Sequence, residues 1–177
     1  MISRSIKRKE KIHPLRPLPE GRTGELFPHS TFFTHSPDET IALAKKLSGK
    51  FKGDEVVFLM GELGAGKTVF TKGIAAGLGL ENIHQVCSPS FTLMNVYPAR
   101  VPIYHFDLYR LTKDGEIFEL GFEDYIGEGV IVIEWAEKIK FSIEAIYITI
   151  KIEDGDRRRI EINPPFPRFN KKGKRED

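Results

Sequence analysis

The stretch EVVFLM at 55–60 runs straight into Gly61-Glu62-Leu63-Gly64-Ala65-Gly66-Lys67-Thr68, and this junction constrains the fold more than any other part of the sequence. An apolar run without alternation is a strand covered on both faces, as in a parallel sheet. The following KTVFTKGIAAGLGL has the pattern of a helix, so the order is strand, glycine-rich loop, helix. Gly61, Gly64 and Gly66 permit backbone angles and close approaches that a Cβ would block, and successive N–H groups can then point at phosphate oxygens. Lys67 is placed to neutralise β- and γ-phosphates. Thr68, opening the helix, offers a hydroxyl to Mg²⁺, and the positive helix terminus adds to the field. The loop positions Gly61 to Thr68, with Val69 behind them, form the predicted nucleotide contact.

Such a loop needs carboxylates to hold Mg²⁺ and to orient an attacking water. Asp107 closes the apolar stretch PIYHFD and Glu134 closes VIVIE. In open parallel sheets ligands bind beyond the carboxyl ends of the strands, so both residues face the loop if their strands neighbour it. CSPSFT at 87–92 supplies Ser88, Ser90 and Thr92 around a stiff Pro89, either a segment that orders around a γ-phosphate or an ordinary Ser-Pro turn. His105 reads as a core histidine rather than a general base. Arg110 is either a source of positive charge for a transition state or a structural partner of the acidic EIFELGFED segment, which is itself a candidate docking surface.

The spacing of strands expected at 91–97, 102–107 and 130–134, with a helical segment near 114–120, predicts an α/β fold with a mainly parallel central sheet. AIYITIKI alternates strictly, and EDGD turns it into RRRIEI, which predicts an antiparallel hairpin at the sheet's edge. Before the first strand, Ser36, Pro37 and Glu39 make a helix start, Ile41, Leu43, Ala44 and Leu47 its apolar side and Gly49 its end. The 177 residues suffice for one core, expected over 31–162, between a basic extension at 1–30 and a basic tail at 163–177. Charge divides the same way: residues 1–25 carry a net +4, residues 151–177 a net +3 and the centre a net −5. Basic ends of this size are solubilising, or track nucleic acid or an acidic partner. The single cysteine, Cys87, excludes an internal disulfide and reads as a small buried hydrophobe. With neither an apolar span nor a signal-peptide core in this sequence, the expectation is a soluble cytoplasmic protein without membrane contact.

FLMGELGAGKTVFTKGIAAGLG, SPSFTLMNVY, YHFDLYRL, ELGFEDYI and VIVIEWAEKI, in this order, resemble the bacterial TsaE (YjeE) family over about residues 32–162. The resemblance implies a phosphate-loop nucleoside triphosphate hydrolase fold. It also implies a small ATPase that uses ATP and Mg²⁺ to support threonylcarbamoyladenosine modification of tRNA, working with TsaB and TsaD and meeting tRNA only through them. Carried over by position, Lys67 and Thr68 bind ATP and Mg²⁺, Asp107 is a Walker-B-like carboxylate and Glu134 acts on Mg²⁺ or the attacking water. Trp135 lies beside the nucleotide, Ser88 to Thr92 form a switch-like loop containing Ser90, and residues near Thr34 to Thr40 help to read adenine. Ser90 replaces the family's usual Thr and keeps its hydroxyl; Val69 stands where Thr is common.

Three other functional classes compete. A GTPase would carry Asn-Lys-x-Asp after a strand, and the nearest string, NKKG at 170–173, lacks the Asp. A small-molecule kinase would need an arginine-bearing lid, for which Arg157 to Arg159 are the only cluster. A docking module would bind ATP and scarcely hydrolyse it; a phosphate-loop chain without a substrate domain is also expected to be a weak ATPase alone and to take missing groups from a partner.

Overall fold

The elements follow in the order β1 (Ser30–Thr34), α1 (Pro37–Ser48), β2 (Val56–Met60), α2 (Lys67–Gly77), β3 (Met94–Tyr97), β4 (Ile103–Asp107), β5 (Val130–Glu134), β6 (Ile146–Asp154) and β7 (Arg157–Asn163). They are seen in a computed structural model that describes residues 29–112, 120–140 and 143–164. One seven-stranded sheet has the order β1-β7-β6-β2-β5-β4-β3. The central strands β6, β2, β5 and β4 are parallel, and antiparallel strands flank them on both sides. This is the α/β architecture that the apolar strands predict.

β2 and β5 are buried on both faces because the sheet separates two cores. Val57, Leu59, Val130 and Val132 pack with Phe70 and Ile74 of α2, while Val56, Phe58, Ile131 and Ile133 pack on the opposite face with Phe106 and Phe122. Successive side chains of a strand point to opposite faces, so an unbroken apolar run is what two covers require. The cores hold β2 rigidly, and the glycine-rich loop leaves its carboxyl end.

The hairpin of β6 and β7 forms as the alternation dictates, with Gly155 in the left-handed region at φ 50° in its turn. It is not at the edge, however: β1 pairs antiparallel with β7 from Ser30 opposite Ile162 to Thr34 opposite Arg158. β1 has the burial of an edge strand, exposed at Thr31, Phe32 and Phe33, so no local alternation marks it, and its strand character comes from pairing with residues far along the chain. Ser30, the last residue of the predicted extension, opens this strand. β3 begins at Met94 rather than at 91, because Leu93 sits at φ 65° and donates its N–H to the Pro89 carbonyl, closing a turn. The helix expected near 114–120 falls almost entirely on residues outside those described.

α1 starts as predicted, with Ser36 Oγ accepting the Glu39 N–H at 3.1 Å and Pro37 in the first turn. The Glu39 carboxylate accepts the His35 N–H at 2.8 Å instead of closing back on Ser36. The helix buries Thr40, Ala44 and Ser48, leaving Leu43 and Leu47 only partly covered. The small residues lead because α2 presents Gly73 and Gly77 to them. A Cβ at Gly73 would fall 2.5 Å from that of Ala44, and one at Gly77 would fall 2.0 Å from Ser48 Oγ. Ser48 Oγ donates across this contact to the Ile74 carbonyl at 3.1 Å.

Candidate functional site

The glycine-rich loop arches between β2 and α2 with Gly61, Gly64 and Gly66 all at positive φ, 141°, 79° and 107°. At Gly61 a side chain is barred outright, since a Cβ would fall 2.3 Å from the Ile150 carbonyl oxygen. Gly64 faces open space. Ala65 donates its N–H to the Glu62 carbonyl at 3.1 Å, which closes the arch. Lys67, 4% exposed, donates to the carbonyls of Gly61 at 2.6 Å and Glu62 at 2.9 Å. Its ammonium also lies 3.7 Å from the centre of the Trp135 ring. Burial pushes the Lys67 ammonium below its ordinary range, while Glu134 first, then Glu137, Asp107 and Glu62, pull it back up.

The two carboxylates meet here because β4 and β5 are parallel neighbours whose last pair in register is Asp107 with Glu134. Glu134 accepts the Thr68 hydroxyl at 3.1 Å and lies 2.8 Å from His105 Nε2; Thr71 Oγ1 is 3.5 Å away, its proton directed to the Lys67 carbonyl at 3.1 Å. Asp107 accepts the Ser88 hydroxyl through Oδ2 and the Tyr109 N–H through Oδ1 at 2.8 Å. Two buried carboxylates side by side, beside a hydroxyl whose proton goes to one of them and whose lone pairs stay available, fit a hard divalent cation with oxygen ligands. Among the described residues no cluster of three His, Cys, Asp or Glu side chains could hold a metal by itself, so a cation here would share its ligands with a phosphate or water.

A cleft of 370 Å³ joins these groups. Of the predicted nucleotide contacts, Leu63, Gly64, Gly66, Lys67, Thr68 and Val69 line it. Ser88, Ser90, Asp107, Glu134 and Trp135 face them. Gly61, Glu62 and Ala65 are not in the lining: the first two turn carbonyls to Lys67, and Ala65 is buried beneath the arch. Trp135 reaches Lys67 because its backbone is left-handed at φ 60°, reversing the chain right after Glu134. Its ring packs against Tyr109, 5.0 Å between centres, which completes the wall.

Several side chains take places that the sequence pattern does not give them. His105 is a core histidine as expected, but one that backs the site, fully buried with Nε2 on Glu134 and Nδ1 without a hydrogen-bond partner among the described residues. Thr71 joins it, and its position one turn after Lys67, on the same helix face, is the signal that could have found it. Cys87 is exposed rather than buried, since Tyr97 takes the inward place and accepts the Cys87 N–H at 3.2 Å. Thr92 turns to Asn95 and Arg110 stacks 4.2 Å over Phe91, both outside the cleft lining. The arginines of the supposed lid are committed elsewhere. Arg157 lies over Phe33 at 4.6 Å, Arg158 donates to the carbonyls of Ala65 and Gly155, and Arg159 pairs with Glu153 at 2.7 Å.

With this geometry in view, residues 34–160 match the family model described as threonylcarbamoyl adenosine biosynthesis protein TsaE. The chain belongs to the TsaE family. The tRNA threonylcarbamoyladenosine biosynthesis protein TsaE of Bacillus subtilis (strain 168) is 44% identical over 131 residues, 72% of this chain and 80% of its own length. Its counterpart in Aquifex aeolicus (strain VF5) is 38% identical over 128 residues, 72% of this chain and 90% of its own. The crystal structure of Bacillus subtilis YdiB superposes with a TM-score of 0.60 at 34% identity, covering 78% of this chain and 86% of that one. The TsaE match takes in the whole site, from Gly61 through Trp135 to Arg158, and leaves residues 1–33 and 161–177 outside it. No helix among the described residues is long and apolar enough to cross a membrane.

Proposed function

We propose that this chain binds ATP with Mg²⁺ and hydrolyses it to support threonylcarbamoyladenosine modification of tRNA, acting with TsaB and TsaD. The observation that carries the ATPase reading is the contact of Thr68 Oγ1 with Glu134 at 3.1 Å, beside Lys67 and within a strand, glycine loop and helix. The link to tRNA modification rests on the named function of the TsaE relatives.

In this reading the loop amides and Lys67 hold the β- and γ-phosphates. Mg²⁺, when bound, neutralises charge on those phosphates, with Thr68 and Glu134 as its protein-side holders. Glu134 takes that role because it already accepts the Thr68 hydroxyl. Asp107, on the neighbouring strand and tied to Ser88 of the switch-like loop, is the carboxylate that orients water. The water oxygen bonds to the γ-phosphorus as the bond to the β–γ bridging oxygen breaks. The products are ADP and inorganic phosphate, and the proton of the water leaves to solvent.

The test is steady-state phosphate release from ATP and from GTP by the purified chain, alone and then with TsaB, TsaD and substrate tRNA. ATP-selective release that rises with the two proteins supports the proposal. Phosphate passed only to an added small-molecule acceptor would replace it with a kinase, and tight ATP binding without release under any condition would leave a docking module.

A further inference from the structure

The phosphate loop is braced from outside by the β6–β7 hairpin, whose own residues have no part in the chemistry proposed above. β6 pairs with β2 up to Met60 opposite Thr149, so the Ile150 carbonyl lies directly against Gly61. Further into the loop, Arg158 of β7 donates from Nε to the Ala65 carbonyl at 3.1 Å, across 93 positions of sequence. Its guanidinium is held at the other end, where Nη1 donates to the carbonyls of Gly155 at 2.7 Å and Arg157 at 3.1 Å. Arg158 is half-buried, and its backbone is fixed between β6 and β1.

We infer that Arg158 is a positioning residue that locks the orientation of the Ala65–Gly66 peptide for phosphate binding. A peptide unit is planar, and in its trans form the N–H points opposite to the C=O. Holding the Ala65 carbonyl toward the hairpin therefore directs the Gly66 N–H away from it, on the side where Gly66 lines the cleft. The loop needs such a lock because Gly66, at φ 107°, has no side chain to resist rotation of this peptide, and a Cβ there would meet nothing closer than 4.0 Å. Arginine suits this position because Nε and Nη1 form a rigid fork that reaches the loop and the hairpin carbonyls together, whereas a lysine ammonium on a flexible stem cannot fix both.

The inference rests on the nucleotide-binding reading for its ligand but has a readout that needs no ligand. Arg158→Ala and Arg158→Lys would be compared with the wild-type chain by calorimetric titration with ADP and ATP, and by amide hydrogen exchange across residues 61–67 without nucleotide. Losing one charge-assisted hydrogen bond that orients the loop should raise Kd for both nucleotides about tenfold in both variants, with kcat at saturating ATP within about twofold. Exchange across the loop should accelerate in both, while exchange across β2 stays as in the wild type. A lysine variant with wild-type Kd and exchange would overturn the inference by showing that only charge is needed. Wild-type Kd and exchange in the alanine variant would overturn it as well. A wild-type chain that binds neither nucleotide would remove the ATPase reading, while accelerated loop exchange in both variants would still support the lock.

Discussion

Replacing Glu134 by Gln separates the chemistry of the site from its architecture. The carboxylate is almost fully buried, with His105 Nε2 at 2.8 Å and the Thr68 hydroxyl at 3.1 Å. An amide of the same shape keeps its oxygen for the His105 Nε2–H and turns its NH₂ toward Thr68 Oγ1, which accepts it and directs its own proton into the cleft. His105 then keeps its proton on Nε2 with an acceptor in place, and no donor is forced onto Nδ1, which has no partner among the described residues. The exchange should therefore change stability by less than about 1 kcal/mol, a neutral hydrogen bond replacing a charge-assisted one whose ion was costly to bury. Glu134→Ala lacks this escape: one imidazole N–H stays unpaired whichever nitrogen carries it, and about 2 kcal/mol of stability is lost. In Glu134→Gln the loop amides and Lys67 should still hold nucleotide, while the negative charge that would face the cation is gone. Single-turnover ATP hydrolysis should fall at least about 100-fold. The assay pairs urea denaturation with quenched-flow phosphate release at fixed Mg²⁺. A Glu134→Gln chain of wild-type stability that hydrolyses ATP within about threefold of the wild-type rate would refute the role given to this carboxylate.

Lys67→Ala should abolish detectable ATP binding in the same titration, with the fold retained by circular dichroism. Because burial lowers the Lys67 pKa below its ordinary value of 10.5 and only the protonated form attracts phosphate, ATP affinity should weaken with rising pH before that value is reached. Glu134→Gln removes the strongest upward pull on that pKa and should move the loss to still lower pH, as read by binding isotherms across a pH series. Ser88→Ala deletes the hydroxyl that Asp107 accepts and should lower kcat about tenfold with little change in Kd. In the helix pair, Gly77→Ala sets a Cβ 2.0 Å from Ser48 Oγ and 2.5 Å from the Lys45 carbonyl. It should cost about 3 kcal/mol by thermal unfolding, against about 1 kcal/mol for Gly79→Ala, where φ is 89° but the space is open.

What the sequence reveals about this site follows from how local each cause is. The loop is legible because three glycines, a lysine and a threonine act within eight consecutive residues, and β2 and β5 because burial on two faces leaves an apolar run. Asp107 and Glu134 can be singled out because each ends such a run. Their adjacency, and the division of labour it suggests, depend on the register of β4 with β5, which no local pattern encodes. β1 and the inward turn of Arg158 escape notice for the same reason: both exist only through pairing across most of the chain. A row of three arginines after a turn reads as the candidate cluster for a lid, and only the alternation of β7 sends the middle one to the loop while its neighbours meet Phe33 and Glu153.

The same non-local contacts explain how so short a chain keeps a glycine-rich loop ordered. Glycine lets the backbone approach a phosphate, yet each one also widens the set of conformations the empty loop can visit, and ordering it at the moment of binding would subtract from affinity. Here much of that ordering is built in beforehand. β2 is clamped between parallel neighbours, Lys67 caps the carbonyls of Gly61 and Glu62, and the hairpin closes on Gly61 and Ala65 from behind. Lys67 is the member of this brace that a bound nucleotide would take over on the proposed reading, since its ammonium cannot serve two loop carbonyls, the Trp135 face and a γ-phosphate together. On the proposed ATPase reading, binding would exchange the lysine's internal partners for phosphate and leave the hairpin contacts in place, so loosening the hairpin should weaken ADP and ATP alike, whereas altering Trp135 should change the lysine's resting position first.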